Sequence, residues 1–180
     1  MLGKRNVFLI GPMGSGKSAV GRLLARMLQA DFYDSDAEIE RRTGVDISFI
    51  FEKEGEAGFR QREREVIDAL TQIEPVVLAT GGGAVLLPEN RRHLAERGCV
   101  VYLQASVEQQ VRRVQRARHR PLLVNVDPAT KLAELMGARA PLYQSLADAT
   151  VPTDGRKVQN VAEEIIRALK EQARSYTPAR

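Results

Sequence analysis

The chain has 180 residues, of which 43% are hydrophobic and 28% charged, a balance typical of one globular domain. Its formal net charge is +4, but only 5% of its residues are aromatic and none is tryptophan, which argues against stacking on single-stranded nucleic acid. A basic surplus instead favours a protein with small anionic substrates, and we expect no nucleic-acid partner. The single cysteine and the lack of any apolar run of membrane-spanning length lead us to expect a cytoplasmic protein that binds no membrane.

Apolar runs that resemble strands alternate with helical patterns along the chain. The first run, 7–10, is apolar at every position, which predicts a strand buried on both faces. Strands are predicted at 7–10, 31–33, 76–79, 100–103 and, more weakly, 149–152. Helices are predicted at 17–28, 55–72, 90–96, 107–115, 130–147 and 158–170. This alternation predicts an α/β fold with a parallel sheet and helices on both faces.

A phosphate-binding motif follows the first predicted strand directly. The residues Gly11-Pro-Met-Gly-Ser-Gly-Lys-Ser18 fit the spacing G-x-x-x-x-G-K-[ST], between a strand and a helix. Glycines let backbone N–H groups approach phosphate oxygens, Lys17 reaches the β- and γ-phosphates, and the Ser18 hydroxyl is a magnesium ligand. The motif therefore predicts a nucleoside triphosphate site. The residues expected to contact the nucleotide here are Gly14, Ser15, Gly16, Lys17, Ser18 and Ala19.

Two segments interrupt the regular alternation. In 34–65, two short charged helical pieces precede a longer helix where a single crossover helix would suffice. In 116–126, the basic residues Arg116, Arg118, His119 and Arg120 precede Pro121, with little apolar periodicity. We predict a mobile lid over the nucleotide for 116–126, although a solvated charged loop would show the same composition.

The ordered motifs resemble those of the shikimate kinases, small kinases with a P-loop fold like that of nucleoside monophosphate kinases. The resemblance runs from Asn6 to about Leu169. It implies a single domain over 1–180: a P-loop three-layer sandwich with a five-stranded parallel sheet, a substrate-binding helical subdomain at 34–65 and a lid at 116–126. Besides Gly11–Ser18, the motifs are Asp34-Ser-Asp36, Ile39-Glu40, Gly44, Ile50-Phe51, Gly55-Glu56, Phe59-Arg60, Glu63, Thr80-Gly-Gly-Gly83, Arg120-Pro-Leu-Leu123 and Arg139-Ala-Pro-Leu-Tyr143.

The resemblance implies transfer of the γ-phosphoryl group of ATP to the 3-hydroxyl of shikimate, a step of aromatic amino-acid biosynthesis. Arg60 and Arg139 match the family's substrate arginines, and a guanidinium fork suits the shikimate carboxylate. Glu63, three residues after Arg60, could hold its side chain or could form a surface ion pair. The triplet Gly81, Gly82 and Gly83 matches a substrate-contacting turn, although glycines in a row are often only a tight turn.

Further roles follow from the same resemblance. Asp36 matches the aspartate that orients the 3-hydroxyl and accepts its proton, and by position it is also a candidate helix N-cap. Asp34 and Ser18 match the residues that hold Mg²⁺. Arg120 matches the lid arginine that reaches the phosphates, so that Lys17, Asp36 and Arg120 are the predicted catalytic residues. Arg113 and Arg156 match positions near the adenine.

Three alternatives remain open from the residues. A gluconate-kinase-like enzyme would leave Arg60 and Arg139 without a role, and a nucleoside monophosphate kinase would need a base pocket and a longer lid. A nucleotide-dependent switch ATPase would turn over nucleotide without shikimate. The sequence shows no heptad repeat, and we expect a monomer.

Overall fold

The computed structural model describes residues 6–115, 121–123 and 125–175. Within these residues the chain forms one five-stranded sheet in which every neighbouring pair of strands is parallel, in the order β2-β3-β1-β4-β5. The strands are β1 Val7–Ile10, β2 Asp31–Asp34, β3 Val76–Ala79, β4 Cys99–Gln104 and β5 Ala149–Pro152. The helices are α1 Lys17–Leu28, α2 Ser35–Thr43, α3 Ile47–Leu70, α4 Pro88–Arg97, α5 Val107–Val114, α6 Pro128–Leu146 and α7 Val158–Ser175. Short 3-10 turns span Ala84–Leu86 and Pro121–Leu123.

Strand β1 is buried on both faces, as its unbroken apolar run predicts. Phe8 and Ile10 belong to one hydrophobic cluster, which includes side chains of α3, α4 and α6. Val7 and Leu9 belong to a second cluster, which includes side chains of α1 and α7. Successive strand residues point to opposite faces, so one strand supplies both layers of the core. The predicted sheet with helices on both faces is therefore confirmed.

The boundaries of some elements differ from the predictions because backbone pairing and a glycine outweigh local pattern. Strand β4 gains Cys99, which pairs with Val7, and Gln104, which pairs with Pro152. The helix predicted at 55–72 is the second part of α3, and the kink between the two parts lies at Gly55, with φ 70° and ψ −177°. That conformation is almost restricted to glycine, so Gly55 turns the helix without ending it.

The carboxyl ends of β1, β2 and β3 meet at one edge of the sheet. From β1 the sheet extends to β3 on one side and to β4 on the other. Ligands of open α/β sheets bind in the crevice at such a point. Helix α2 and the first part of α3 pack together beside this edge, within the segment predicted as the helical insertion.

No helix within the described residues combines the length and the apolar character that crossing a bilayer requires.

Candidate active site

The loop between β1 and α1 has the geometry of an anion site. Gly14 and Gly16 have φ values of 77° and 90°, in the left-handed region that favours glycine. Gly16 is the N-cap of α1, and no side chain caps the helix there. The first backbone N–H groups of α1 therefore remain available to an anion at the positive end of the helix dipole.

Lys17 folds back over this loop. Its Nζ donates hydrogen bonds to the carbonyl oxygens of Gly11 at 2.8 Å and Pro12 at 2.7 Å. The residue is buried, with 9% of its surface exposed. The ammonium group thus lies at the rim of the anion site, where it can approach the terminal phosphates of a nucleotide.

Helix α5 packs against the same loop through Arg113. Its Nη1 donates to the carbonyl oxygen of Gly14 at 2.8 Å. Arg156 lies after β5, where its Nη1 donates to the Pro152 carbonyl at 2.9 Å and its Nη2 pairs with Glu164 at 2.5 Å. The structure thus places Arg113 at the phosphate loop and Arg156 further along the same edge of the sheet, and their contact with adenine stays a prediction.

Asp34 joins the phosphate loop to helix α2. Its Oδ2 accepts a hydrogen bond from the Ser18 hydroxyl, and its Oδ1 accepts from the backbone N–H groups of Asp36 at 3.0 Å and Ala37 at 3.3 Å. Asp34 is therefore the N-cap of α2, and the alternative assignment of Asp36 as the cap is wrong: the helix begins at Ser35, one residue earlier. The Ser18 hydroxyl and the Asp34 carboxylate form a compact oxygen pair, which suits Mg²⁺ with its remaining positions filled by water and phosphate.

A cleft of about 210 Å³ opens between the glycine turn after β3, helix α2 and both parts of α3. Met13 of the phosphate loop reaches its wall, so the cleft adjoins the nucleotide site. All of the residues predicted to bind the acceptor line this cleft, namely Asp36, Arg60, Gly81, Gly82, Gly83 and Arg139. Two cationic side chains, an aspartate and a glycine turn therefore line the same cleft.

Arg60 is held by a buried acid. Its Nη1 pairs with Glu63 at 2.6 Å and its Nη2 pairs with Glu56 at 3.1 Å. Burial alone would lower the pKa of Arg60, but the Glu63 and Glu56 carboxylates outweigh it and raise that pKa above its ordinary value. Glu63 is 0% exposed, so it positions Arg60 from within the protein and forms no surface ion pair.

The Glu63 carboxyl is itself perturbed by its surroundings. Its burial raises its pKa, while the charges of Arg60 and Arg139 act in the opposite direction. Its Oε1 finds no hydrogen-bond partner among the described residues and lies at the face of Gly81. A Cβ atom at Gly81 would lie 2.6 Å from this oxygen and 2.7 Å from Asp36 Oδ1, which explains why glycine occupies the position.

Arg139, on α6, is the second cation of the cleft. Only 4% of its surface is exposed, and no carboxylate of the described residues forms an ion pair with it. Its Nη1 lies 3.5 Å from the position that a Cβ of Gly82 would take. The nearby Glu63 carboxyl interacts with this charge without forming a direct ion pair. A buried guanidinium that lacks a direct ion pair is costly, so the site favours an anionic ligand.

Two buried side chains, for which the sequence pattern predicts no role, fix the glycine turn. Ser35 Oγ accepts a hydrogen bond from the Gly81 N–H at 2.9 Å. The Tyr143 hydroxyl donates to the Gly82 carbonyl at 2.5 Å. Both residues stand inside motifs already singled out, since Ser35 lies between Asp34 and Asp36 and Tyr143 lies one helical turn after Arg139. Their burial could not be read from the motifs alone.

The structure brings together most of the predicted site residues. Lys17, Ser18 and Asp34 meet at the phosphate loop, and Asp36 and Arg139 line the adjoining cleft. Arg120, residues 116–119 and residue 124 of the predicted lid lie outside the described residues. Of the described part of that segment, Leu122 lines the cleft.

The sheet order, the phosphate loop and the adjoining acceptor cleft define an α/β kinase with a P-loop fold. The family model for "Shikimate kinase" matches residues 13–170. The shikimate kinase of Pasteurella multocida is 55% identical over 92% of this chain and 95% of its own length. The chain belongs to the shikimate kinase family.

Solved structures agree with this assignment. The structure of shikimate kinase from Acinetobacter baumannii in complex with shikimate has a TM-score of 0.92 and 46% identity, and it covers 94% of this chain and 95% of that chain. A gluconokinase from Sinorhizobium meliloti has a TM-score of 0.52 and 16% identity, covering 94% of each chain, and this likeness reflects the fold alone.

Proposed function

We propose that this protein transfers the γ-phosphoryl group of ATP to the 3-hydroxyl of shikimate, giving shikimate 3-phosphate and ADP. The observation that carries the proposal is the cleft beside the phosphate loop, in which Arg60 and the buried Arg139 face an acidic side chain, Asp36. Shikimate has one carboxylate and three hydroxyls. The two guanidinium groups suit the carboxylate, and the aspartate suits a hydroxyl.

The proposed roles of Lys17 and Asp36 are supported by their positions, and that of Arg120 by its match to the lid arginine of the family. The hydroxyl oxygen of the acceptor attacks the γ-phosphorus, the bond to the β,γ-bridging oxygen breaks, and ADP leaves. Asp36 orients the hydroxyl and accepts its proton. Lys17 and Arg120 stabilise charge on the phosphoryl oxygens, and an arginine in such a role contributes about 10³–10⁵ in rate. Positioning and electrostatics supply most of the catalysis, because phosphoryl transfer needs little covalent chemistry from the protein.

Mg²⁺ is the proposed metal cofactor of the bound ATP. The Ser18 hydroxyl and the Asp34 carboxylate would hold it, since they already lie in hydrogen-bond contact beside the phosphate loop. When bound, the metal would neutralise negative charge on the β- and γ-phosphate oxygens. Asp34 also caps α2, so the proposed metal ligand lies two residues from the proposed base.

The remaining assignments are part of the same proposal. Residues 34–65 form the acceptor-binding subdomain, supported by Asp36, Glu40 and Phe51 on the wall of the cleft. Residues 116–126 form the lid, supported by Leu122 in the same wall. We propose a monomeric, cytoplasmic enzyme that binds neither nucleic acid nor membranes, and Cys99, the sole cysteine, fits a reducing compartment.

The direct test is ADP release from ATP with shikimate, with gluconate, with nucleoside monophosphates and with no acceptor. We expect release only with shikimate, and a loss of turnover when a chelator removes Mg²⁺. Identification of shikimate 3-phosphate by mass spectrometry checks the product. Release that is indifferent to shikimate, or that follows another acceptor, would contradict the substrate assignment and leave the nucleotide site intact.

A further inference from the structure

The glycine turn of the cleft is anchored by two side chains that do not line the cleft. Ser35 Oγ accepts from the Gly81 N–H at 2.9 Å, and the Tyr143 hydroxyl donates to the Gly82 carbonyl at 2.5 Å. Ser35 and Tyr143 are both 0% exposed. A turn made of glycines has no side chains of its own to restrict it, so its conformation depends on such anchors.

The hydrogen bond from Tyr143 to the Gly82 carbonyl also fixes the direction of a backbone donor, the N–H of Gly83. The carbonyl of Gly82 and the N–H of Gly83 belong to one planar trans peptide, so they point in opposite directions. A hydroxyl that fixes the carbonyl therefore fixes the direction of the Gly83 N–H. Within the described residues, no acceptor binds the N–H of Gly83, which leaves this donor to a ligand.

The Gly83 N–H lies beside the cation that the acceptor site uses. A Cβ at Gly83 would overlap the guanidinium of Arg60, so that backbone and side chain are in close contact there. A backbone donor next to a guanidinium adds a third hydrogen-bond direction for a carboxylate, besides the two of the fork.

We propose that Tyr143 is a positioning residue for acceptor binding: its hydroxyl holds the Gly82 carbonyl so that the Gly83 N–H, beside Arg60, points at the acceptor's carboxylate. This inference rests on the proposed function, because it takes shikimate as the acceptor. Tyr143 does not itself line the cleft. Its hydroxyl also accepts a hydrogen bond from Arg139, but the proposed effect passes through the peptide between Gly82 and Gly83.

The surroundings of Tyr143 suit this role. Its ring stacks on that of Tyr102, with ring centres 5.0 Å apart and planes 27° apart, which restricts where the hydroxyl can point. Burial raises the pKa of the Tyr143 phenol, and Arg139 opposes only part of that rise. The phenol therefore stays protonated and remains a donor at neutral pH.

The test compares Tyr143→Phe with Tyr102→Phe. Both variants lose one phenolic hydroxyl from the same stacked pair, but only the first loses the contact with Gly82. For Tyr143→Phe we expect the shikimate KM, and the shikimate Kd from calorimetry, to rise about tenfold, as for the loss of one buried hydrogen bond. The ATP KM and kcat should stay within about twofold, and Tyr102→Phe should match the wild-type protein in all of them.

A carboxamide analogue of shikimate separates positioning from general damage. If Tyr143 acts through a donor to the carboxylate, the penalty of Tyr143→Phe should shrink to about twofold or less with this analogue, because the charge-assisted hydrogen bond is already absent. Both variants keep the stacked rings, so they are expected to fold, and thermal unfolding checks this.

The possible outcomes are distinguishable. A wild-type protein that does not phosphorylate shikimate contradicts the proposed function. A wild-type protein that does, with an unchanged shikimate KM and Kd in Tyr143→Phe, overturns the role of Tyr143. An equal rise in the KM of ATP, or an equal penalty in Tyr102→Phe, also overturns it, because the effect would then be a structural one. A shikimate penalty that disappears when Tyr143→Phe is combined with Arg139→Lys likewise overturns it, because the hydroxyl would then act through Arg139.

Discussion

Arg139 shows how a single buried side chain can determine the kind of ligand that a site accepts. The guanidinium is only 4% exposed and has no paired carboxylate among the described residues. Arg60 differs, because Glu63 and Glu56 already compensate its charge. Arg139 interacts with Glu63 only at a longer range, so its charge is less directly compensated than that of Arg60, and an anionic acceptor relieves the cost of burying it.

Replacing Arg139 by lysine should weaken acceptor binding while leaving the phosphate loop unaffected. Lysine keeps the charge but loses the paired donors, and a hydrogen bond to a charged group is worth about 1.5–3 kcal/mol. We expect the shikimate KM of Arg139→Lys to rise about tenfold or more, with the ATP KM within about twofold. Steady-state kinetics measures both. Arg26→Lys, on the exposed face of α1, is the matched control. An unchanged shikimate KM would remove Arg139 from the acceptor site.

Glu38, two residues after Asp36, links the stability of α2 to pH. Its carboxylate accepts hydrogen bonds from Arg41 at 2.7 Å and Arg42 at 2.7 Å. The hydrogen bond from Arg41, reinforced by Arg42 and opposed by burial, lowers the pKa of Glu38 from 4.5 to about 2. The folded state therefore favours the ionised carboxylate, and the stability from this contact is present above pH 4.5 and is lost as the pH falls towards 2.

The variant Glu38→Gln should show this dependence. We expect it to lower the free energy of unfolding by about 1 kcal/mol at pH 7, a modest value because Arg41 and Arg42 are solvent-exposed and their charges are screened. The difference from the wild-type protein should shrink as the pH falls from 5 towards 2, as measured by denaturant unfolding at each pH. Glu52→Gln is the control, since Glu52 is 69% exposed and, among the described residues, forms an ion pair only with its neighbour Lys53. A difference that stays constant with pH would contradict the assignment.

At the scale of elements, the kink in α3 decides where the walls of the cleft lie. Ile47 and Phe51 of the first part and Phe59 of the second part all line the cleft. The rings of Phe51 and Phe59 contact each other across the kink, with centres 4.8 Å apart. Gly55 permits this return of the chain through its backbone angles alone, because a Cβ there would meet no atom within 4 Å.

The variant Gly55→Ala isolates that backbone effect. An alanine held at φ 70° and ψ −177° costs about 1–3 kcal/mol, so we expect a lower melting temperature. The shikimate KM should rise as well, because relief of the strain displaces Phe51 from Phe59.

Gly137→Ala is the control for the same chemical change. Gly137 lies within α6, and a Cβ there also meets nothing within 4 Å. Since alanine favours a helix over glycine by about 1 kcal/mol, this variant should be more stable than the wild-type protein. Equal melting temperatures in the two variants would show that the kink at Gly55 is not strained by a side chain.

At the scale of the whole molecule, the sequence predicted those features that a local pattern encodes. The apolar run of β1 and the spacing of Gly11–Ser18 predicted the central strand, the loop and α1 with the boundaries observed. The resemblance to the shikimate kinases, and no local pattern, predicted that Asp36, Arg60 and Arg139 share one site, although they lie on three different helices. The anchoring roles of Ser35 and Tyr143 were missed because they depend on contacts between segments far apart in the chain, 46 and 61 residues respectively.

The connection between α5 and α6 joins the two halves of the active site. Before it, Arg113 of α5 is bound to the phosphate loop at Gly14. After it, α6 carries Arg139 into the acceptor cleft, and Leu122 within the connection lines that cleft. A segment attached to both half-sites is best placed to respond when both are filled.

Hydrogen exchange can test the proposed lid at 116–126. We expect peptides that cover this segment to exchange about tenfold or more slowly when a non-hydrolysable ATP analogue and shikimate are bound together, and much less so with either ligand alone. We expect synergy because each ligand orders only one end of the segment. The second ligand to bind therefore causes a smaller loss of conformational entropy. Peptides from α7 are the internal control, since α7 packs on α1 and β5, away from the cleft. Exchange in 116–126 that is unchanged by the ligand pair would contradict the lid. Full protection by the nucleotide analogue alone would show that the segment responds to the phosphate loop and not to the acceptor cleft.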